Sequence, residues 1–214
     1  SNDKFGNLDL QSNLKFHNYD TNKTTKFLVN DFDWDIKDIN FSSGIKGKIF
    51  SKLKNVNYET KNVSKYREDP TSELYGAFGY LTEVDFFKRS SDQSFQKITP
   101  KVLLRYAPGK MKKEDNGAKL NPINIFNLNR INNSNQMETG LSATLGFDYR
   151  RNNGILNDFK MSVAQVINEK ENKKMASKTS LDEKLSDLAG SAEFKPNDKV
   201  NLDYNFSLDQ NYKD

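Results

Sequence analysis

Cysteine is absent from the 214 residues, which excludes a disulfide framework, a thiolate nucleophile and any Cys-ligated metal. Histidine occurs once, at His17, so a zinc-binding His pair or an HExxH helix is excluded as well. Long apolar runs are missing: nothing approaches the ~18–20 residues that a transmembrane helix needs. Only 35% of residues are hydrophobic and 29% are charged, a balance that often accompanies disorder. Two features oppose disorder here, an aromatic content of 12% and only five prolines. The net charge of +4 is spread along the chain rather than gathered into a basic stripe with stacking aromatics, so no nucleic-acid partner is expected. The opening "SNDKFGNLDL" lacks the basic region and apolar core of a signal peptide. Patterned sequence runs to both ends, and the chain is therefore expected to be one partial domain over 1–214, truncated on both sides.

What the sequence does have is alternation. In "METGLSATLGFDYR" every odd position from Met137 to Tyr149 is apolar or Thr, and every even one from Glu138 to Arg150 is polar, charged or Gly. Nine segments read this way, at about 8–19, 25–37, 41–54, 73–88, 95–107, 137–151, 158–168, 187–195 and 199–210. No convincing amphipathic helix accompanies them. "LDEKLSDL" (181–188) is the best helical candidate and reads better as a loop entering a strand. Most segments exceed the usual strand length of ~5–6 residues.

Each segment has one apolar side. It is Leu8, Leu10, Leu14 and Phe16 in the first, then Leu28, Phe32, Trp34 and Ile36, then Phe41, Ile45, Ile49 and Leu53. The fourth and fifth give Phe78, Tyr80, Val84 and Phe86, and Ile98, Val102, Leu104 and Tyr106. The last gives Val200, Leu202, Tyr204, Phe206 and Leu208. The opposite sides carry the charge: Asp31, Asp33 and Asp35; Lys46, Lys48, Lys52 and Lys54; Glu83 and Asp85; Lys101 and Arg105. A one-residue slip would put those charges among the apolar side chains, so register is strongly specified. Alternate connections differ in length. Those after the third, fifth and seventh segments are long and carry surface loops at 59–72, 108–136 and 169–186, those after the even-numbered segments are short, and the first connection is a short exception on the long side. An up-and-down meander places these sets at opposite ends of the sheet, as in outer-membrane barrels. The expected fold is all-β, an antiparallel meander of about nine long strands forming an open arc of a large outer-membrane barrel, its apolar side toward lipid and its polar side toward a lumen. A soluble β-sandwich also alternates, and it remains the alternative at this level.

Catalytic signals are poor, and no enzyme activity, cofactor or metal is expected. Asp31, Asp33 and Asp35 lie at period two with no Gly-centred ligand loop, a weak match to a calcium site. "APGKM" lacks the rest of a phosphate-binding loop. Lys46, Lys48, Lys101 and Arg105 are candidate lumen-facing cations that could hold anionic groups or a protein plug. Cross-strand pairing with the acidic residues of neighbouring strands explains them equally without a ligand. Pro100 removes a ladder hydrogen bond in mid-strand, so weakened pairing is expected there.

Several of these segments together resemble the barrel domain of the LptD family of lipopolysaccharide-assembly (organic solvent tolerance) proteins. The matching features are "ITPKVLLRYAPGKMK" with Pro100, Arg105, Tyr106 and Pro108, and the loop residues Phe126, Asn129, Arg130 and Ile131. They continue with Glu138, Gly140 and Gly146, then Ser162-Val163-x-Gln165, then Ser186-Asp187-Leu188-x-Gly190. The specific part of the resemblance spans 95–210. It departs from the family at Ala164, where Gly is frequent. The resemblance implies transport of lipopolysaccharide into the outer leaflet of a bacterial outer membrane, without covalent chemistry. It also implies contact with outer-membrane lipid and an LptE-type lipoprotein plugging the lumen. Another outer-membrane barrel, such as a porin or a TonB-dependent transporter, shares the alternation.

Overall fold

The structure, a computed structural model, describes residues 5–36, 38–89, 94–131, 133–152, 158–197 and 199–209. Positions 37 and 210, the expected ends of two strands, fall outside them. Among the described residues, eleven strands form one antiparallel sheet: β1 (Asn7–Tyr19), β2 (Lys23–Asp35), β3 (Ile39–Asn40), β4 (Ile45–Lys61), β5 (Thr71–Val84), β6 (Phe86–Arg89), β7 (Phe95–Ala107), β8 (Gly140–Asn152), β9 (Asp158–Asn168), β10 (Leu188–Asn197) and β11 (Val200–Leu208). The order is β1-β2-β4-β5-β7-β8-β9-β10-β11, a meander, with β3 paired to β4 and β6 to β7. The sheet is not closed: β1 pairs only with β2, and β11 only with β10, among the described residues. The segment 181–188 is turn and bridge, and the sole helical turn nearby is a 3-10 turn at Ser177–Thr179.

All nine expected strands are present. Several boundaries differ for physical reasons. The third expected segment, 41–54, becomes β4, which starts only at Ile45 because 41–44 form a tight turn closed by Gly44 N–H to the Phe41 carbonyl, and which runs on to Lys61 because alternation continues through Val56, Tyr58 and Thr60, all buried on the polar side. The fourth, 73–88, divides into β5 and β6 at Asp85. The register is the same on both sides of the break, from Glu83↔Lys101 to Phe86↔Ile98. Pro100 and Thr99 lie opposite the gap, so the missing proline N–H leaves the ladder open where expected. The sixth starts at Gly140 rather than 137.

The two sides of the sheet have opposite fates. The apolar side is bare: Leu14 is 79% exposed, Leu74 66%, Leu202 57% and Leu104 53%. No second sheet lies over it among the described residues, and that removes the β-sandwich reading, in which such faces pack on each other. Among the described residues charges do occur on this side, but only toward strand ends. Lys26 and Glu59 pair there, Lys61 lies at the same end, and Lys88 and Arg151 at the other. The polar side is the one that carries a core. Its two apolar clusters are built between the wall and the loops 62–70, 108–139 and 169–187, and they include Val29, Val56, Leu128 and Met137 in one and Met111, Ile125, Val166 and Leu181 in the other.

Candidate functional site

The polar side divides into a ladder of ion pairs, most of it uncovered, and a region roofed by the loops. In the ladder, strand register puts Asp31 opposite Lys54 and Asp33 opposite Lys52, and these pair at 2.6 Å each; the Asp31–Lys54 pair is buried, and Lys54 Nζ also donates to the Ser134 carbonyl at 3.0 Å. Lys48 reaches Asp35 diagonally at 3.4 Å, and Asp85 takes both Lys46 at 2.8 Å and Lys97 at 2.9 Å. Lys101 pairs with Asp148 across β7 and β8. Cross-strand pairing therefore accounts for Lys46, Lys48 and Lys101, and the three aspartates each hold a lysine.

Arg105 behaves differently. It lies on the same side of β7 but is 1% exposed, covered by the segment that follows its own strand. Its Nε donates to the Leu128 carbonyl at 2.6 Å and its Nη2 to the Glu138 carbonyl, while Nη1 lies 3.6 Å from the Glu138 carboxylate. One side chain thus ties together residues ten apart in the loop. Arg130 donates Nε to Glu138 Oε2 at 2.9 Å and Nη2 to Oε1, a two-point guanidinium–carboxylate pair, and Nη2 also reaches Ser142 Oγ at 3.2 Å. All three charged groups are buried.

The roof fits because the wall beneath it is small. A Cβ on Gly79 would come within 2.7 Å of Leu128, and one on Gly146 within 2.6 Å of the Ala164 Cβ and 3.0 Å of the Phe126 ring. Ile125 covers Thr144, whose hydroxyl donates to the Ile125 carbonyl at 3.4 Å. Burying Met111, Leu120, Ile125, Leu128, Ile131 and Met137 favours this arrangement by about 1.5–3 kcal/mol for each fully covered side chain. Met137 is the correction to the alternation of "METGLSATLGFDYR". It is 0% exposed and packs in the roofed core, not on the bare side. Gly140, with φ 127°, turns the chain between that core and the strand.

Polar hubs join the loops. Glu114 accepts from Gln136 Nε2 and from Asn133 Nδ2 at 2.8 Å, and its N–H donates to the Lys174 carbonyl at 2.7 Å. Asn168 donates to the carbonyls of Leu181 at 3.3 Å and Glu183 at 2.7 Å. The ladder between β9 and β10 holds one extra residue on the β10 side between the pairs Ile167↔Leu185 and Ala189↔Ala164, a β-bulge. Ser186 Oγ accepts the Val166 N–H at 2.9 Å in place of a ladder carbonyl, and Gln165 Nε2 donates to the Ser186 carbonyl at 2.8 Å. Asp187 Oδ2 accepts from Ser207 Oγ at 3.2 Å. Ser186→Ala is expected to orphan the buried Val166 N–H at a cost of about 1–3 kcal/mol, read as faster amide exchange at Val166 and across 181–187.

Glu138 lies just before β8. Burial opposes its ionisation, but Arg105 and Arg130 outweigh burial and hold its carboxyl below the usual carboxylate range. With a folded value below the unfolded one, its contribution is fully present above the ordinary glutamate value and fades as pH falls through the folded value. Protection of the 125–139 amides, corrected for intrinsic exchange, is expected to be constant from about pH 8 to about pH 5 and lost only below about pH 4.

The structure thus brings Arg130, Glu138 and Gly140 together around Arg105, sets Phe126 over Gly146 beside Lys101, and places Gln165 and Asp187 at the neighbouring bulge. Lys46 and Lys48 stand apart on the uncovered ladder, and Lys101 pairs with Asp148 with its ammonium 5.9 Å from the Phe126 ring. Residue patterns do not reveal Glu114, Gln136 or Lys112, because loop contacts have no period. No curated protein matches this chain. A family model described as LPS transport system D, LptD, matches residues 52–214.

Proposed function

Since the chain belongs to the LptD family, whose work is lipopolysaccharide transport, we propose that it forms wall and lumen lining of the outer-membrane translocon that delivers lipopolysaccharide to the outer leaflet. The observation that supports this most is the inversion of the two sides: the apolar side is bare and the core lies on the polar side. A water-soluble protein would gain by covering the bare side, whereas a membrane wall needs it bare. On β4 the apolar side is free of charge from Ile45 to Asn57. Those residues span roughly 43 Å along the strand at ~3.3 Å each, or roughly 30 Å across a membrane at a tilt of ~45°. That is close to the ~25 Å apolar band of such barrels.

In this reading the chain acts in the outer membrane by providing a path, with no bond made or broken. Lys46, Lys48, Lys101 and Arg105 belong to the lumen side, Phe126, Arg130, Glu138 and Gly140 hold the loop against it, and Gln165 and Asp187 brace the bulge between β9 and β10. An LptE-type lipoprotein would seat against the uncovered part of the polar side. The single-sided strands β1 and β11 would pair with further wall strands of a barrel of about 26, because a bare edge invites aggregation. Cysteine scanning tests the assignment in the full-length protein in its membrane. Lys46→Cys and Lys48→Cys should react with a water-soluble maleimide, and Leu104→Cys only with a lipid-soluble one. Lipid-only labelling at Lys48→Cys would sink the reading.

A further inference from the structure

We infer that the bare side carries, at its loop-bearing end across β1, β2, β4 and β5, a docking site for the headgroup of a phosphorylated glycolipid resident in the outer leaflet. The inference rests on the reading of that side as the lipid side, and the site lies on the opposite side of the wall from the lumen path. Asn30 of β2 faces Asn55 of β4 there, and Asn57 of β4 faces Ser72 of β5. Ser12 Oγ donates to Asn30 Oδ1 at 2.7 Å, and Asn30 Nδ2 reaches Asn55 Oδ1 at 3.5 Å. Asn55 Nδ2 donates to Ser72 Oγ at 3.1 Å. An uncharged polar row thus crosses four strands on the side that carries Leu14, Leu28, Leu53 and Leu74. Hydrocarbon offers these groups no partner, and each keeps lone pairs or protons beyond those its neighbours use.

Asn57 and Ser72 open into a recess of about 390 Å³ that Leu14, Leu28, Lys26 and Glu59 also line. Its rim is cationic. Lys26 pairs with Glu59 at 3.0 Å, both half exposed, and Lys61, two residues further along β4, has no acidic partner among the described residues. Two ammoniums stand beside one carboxylate, so an anionic group is attracted to this end. On the inward side of the row Leu53 is 42% exposed and Leu74 66%. Along β4 the order is therefore apolar at Leu53, amide at Asn55 and Asn57, then charged at Glu59 and Lys61. Acyl chain, sugar and phosphate follow one another in the same order in a phosphorylated glycolipid. A glycerophospholipid would use the cations and leave most of the row unanswered, whereas sugar hydroxyls can both donate to the row and accept from it. A recess of this size suits a headgroup, and a membrane-embedded protein partner would need about 800 Å² on each side. A lipid held here fixes the depth of this end of the wall in the outer leaflet.

The test uses the full-length protein in nanodiscs holding lipopolysaccharide and phosphatidylglycerol in equal amounts. A benzophenone side chain replaces Leu74, beside the row, or Leu141, at the same end of the bare side on β8 but away from the row. Illumination couples each to its neighbouring lipid. In place of Leu74 the captured ratio of lipopolysaccharide to phosphatidylglycerol should exceed the bilayer ratio about tenfold, as one hydrogen bond to a charged group provides. In place of Leu141 it should match the bilayer. Asn57→Leu, which keeps the size and removes the amide, should return the Leu74 probe toward the bilayer ratio, and so should Lys61→Met. If Asn57→Leu does not assemble, the Lys61→Met arm decides alone. A bilayer ratio at the Leu74 probe, equal enrichment at the Leu141 probe, or enrichment that survives both variants overturns the site. Enrichment of phosphatidylglycerol, or capture of protein in place of lipid, overturns it as well. Capture of no lipid at either position counts against the lipid-side reading itself, and so is distinct from failure of the site.

Discussion

Replacing Arg130 with Ala is expected to cost about 3–5 kcal/mol, the effect of stripping one partner from a buried ion pair. The reason is local. Glu138 would keep only Arg105, whose nearest nitrogen is 3.6 Å from the carboxylate and whose other donors are already used on the Leu128 and Glu138 carbonyls. The loss should be confined to the roof. Amide exchange should accelerate across 125–139 while β1 and β2, which touch neither residue, exchange at the parent rate. Arg130→Lys should recover only part of the loss, because an ammonium cannot make the two-point contact or reach Ser142 at the same time. A uniform destabilisation of all strands would show that the cluster supports the whole wall rather than the loop.

Leu145→Lys is the second large effect, at about 2–4 kcal/mol against folding in a bilayer, the range for a cation at the midplane of a barrel's lipid side. Leu145 is midway along the bare side of β8, between Leu141 and Tyr149, and is itself 45% exposed. In a water-soluble protein, lysine at a half-exposed position would cost little. The size of the penalty therefore separates lipid from water as the neighbour of this side. Asn205→Lys on the polar side of β11 serves as the comparison and should be close to neutral. Unfolding titrations of the full-length protein in lipid vesicles read both. A penalty at Leu145 no larger than that at Asn205 would remove lipid from the picture.

Most of the wall was legible in the residues because a strand writes its faces with period two. The Leu8, Leu10, Leu14 and Phe16 row, the Lys52/Asp33 and Lys54/Asp31 pairs, and the break opposite Pro100 follow from alternation, opposite charge and a missing N–H. The family resemblance likewise singled out Arg130, Glu138, Gly140 and Gln165 before any contact was known. Their roles were not legible. Met137 and Glu138 continue the alternation of β8 without break, yet one is buried with Phe27 and Leu128 and the other is claimed by two arginines.

By itself the sequence determined the strands, their register and which side bears charge, since these depend on neighbours two residues apart and on partners across a tight meander. Only the tertiary structure decided where the core lies. Loops 108–139 and 169–187 turn back over the polar side because its glycines and alanines leave room for Leu128 and Phe126, and because Arg105 offers donors there to two distant carbonyls. Contacts of that kind join residues far apart in the chain at no fixed spacing, and no periodicity can record them.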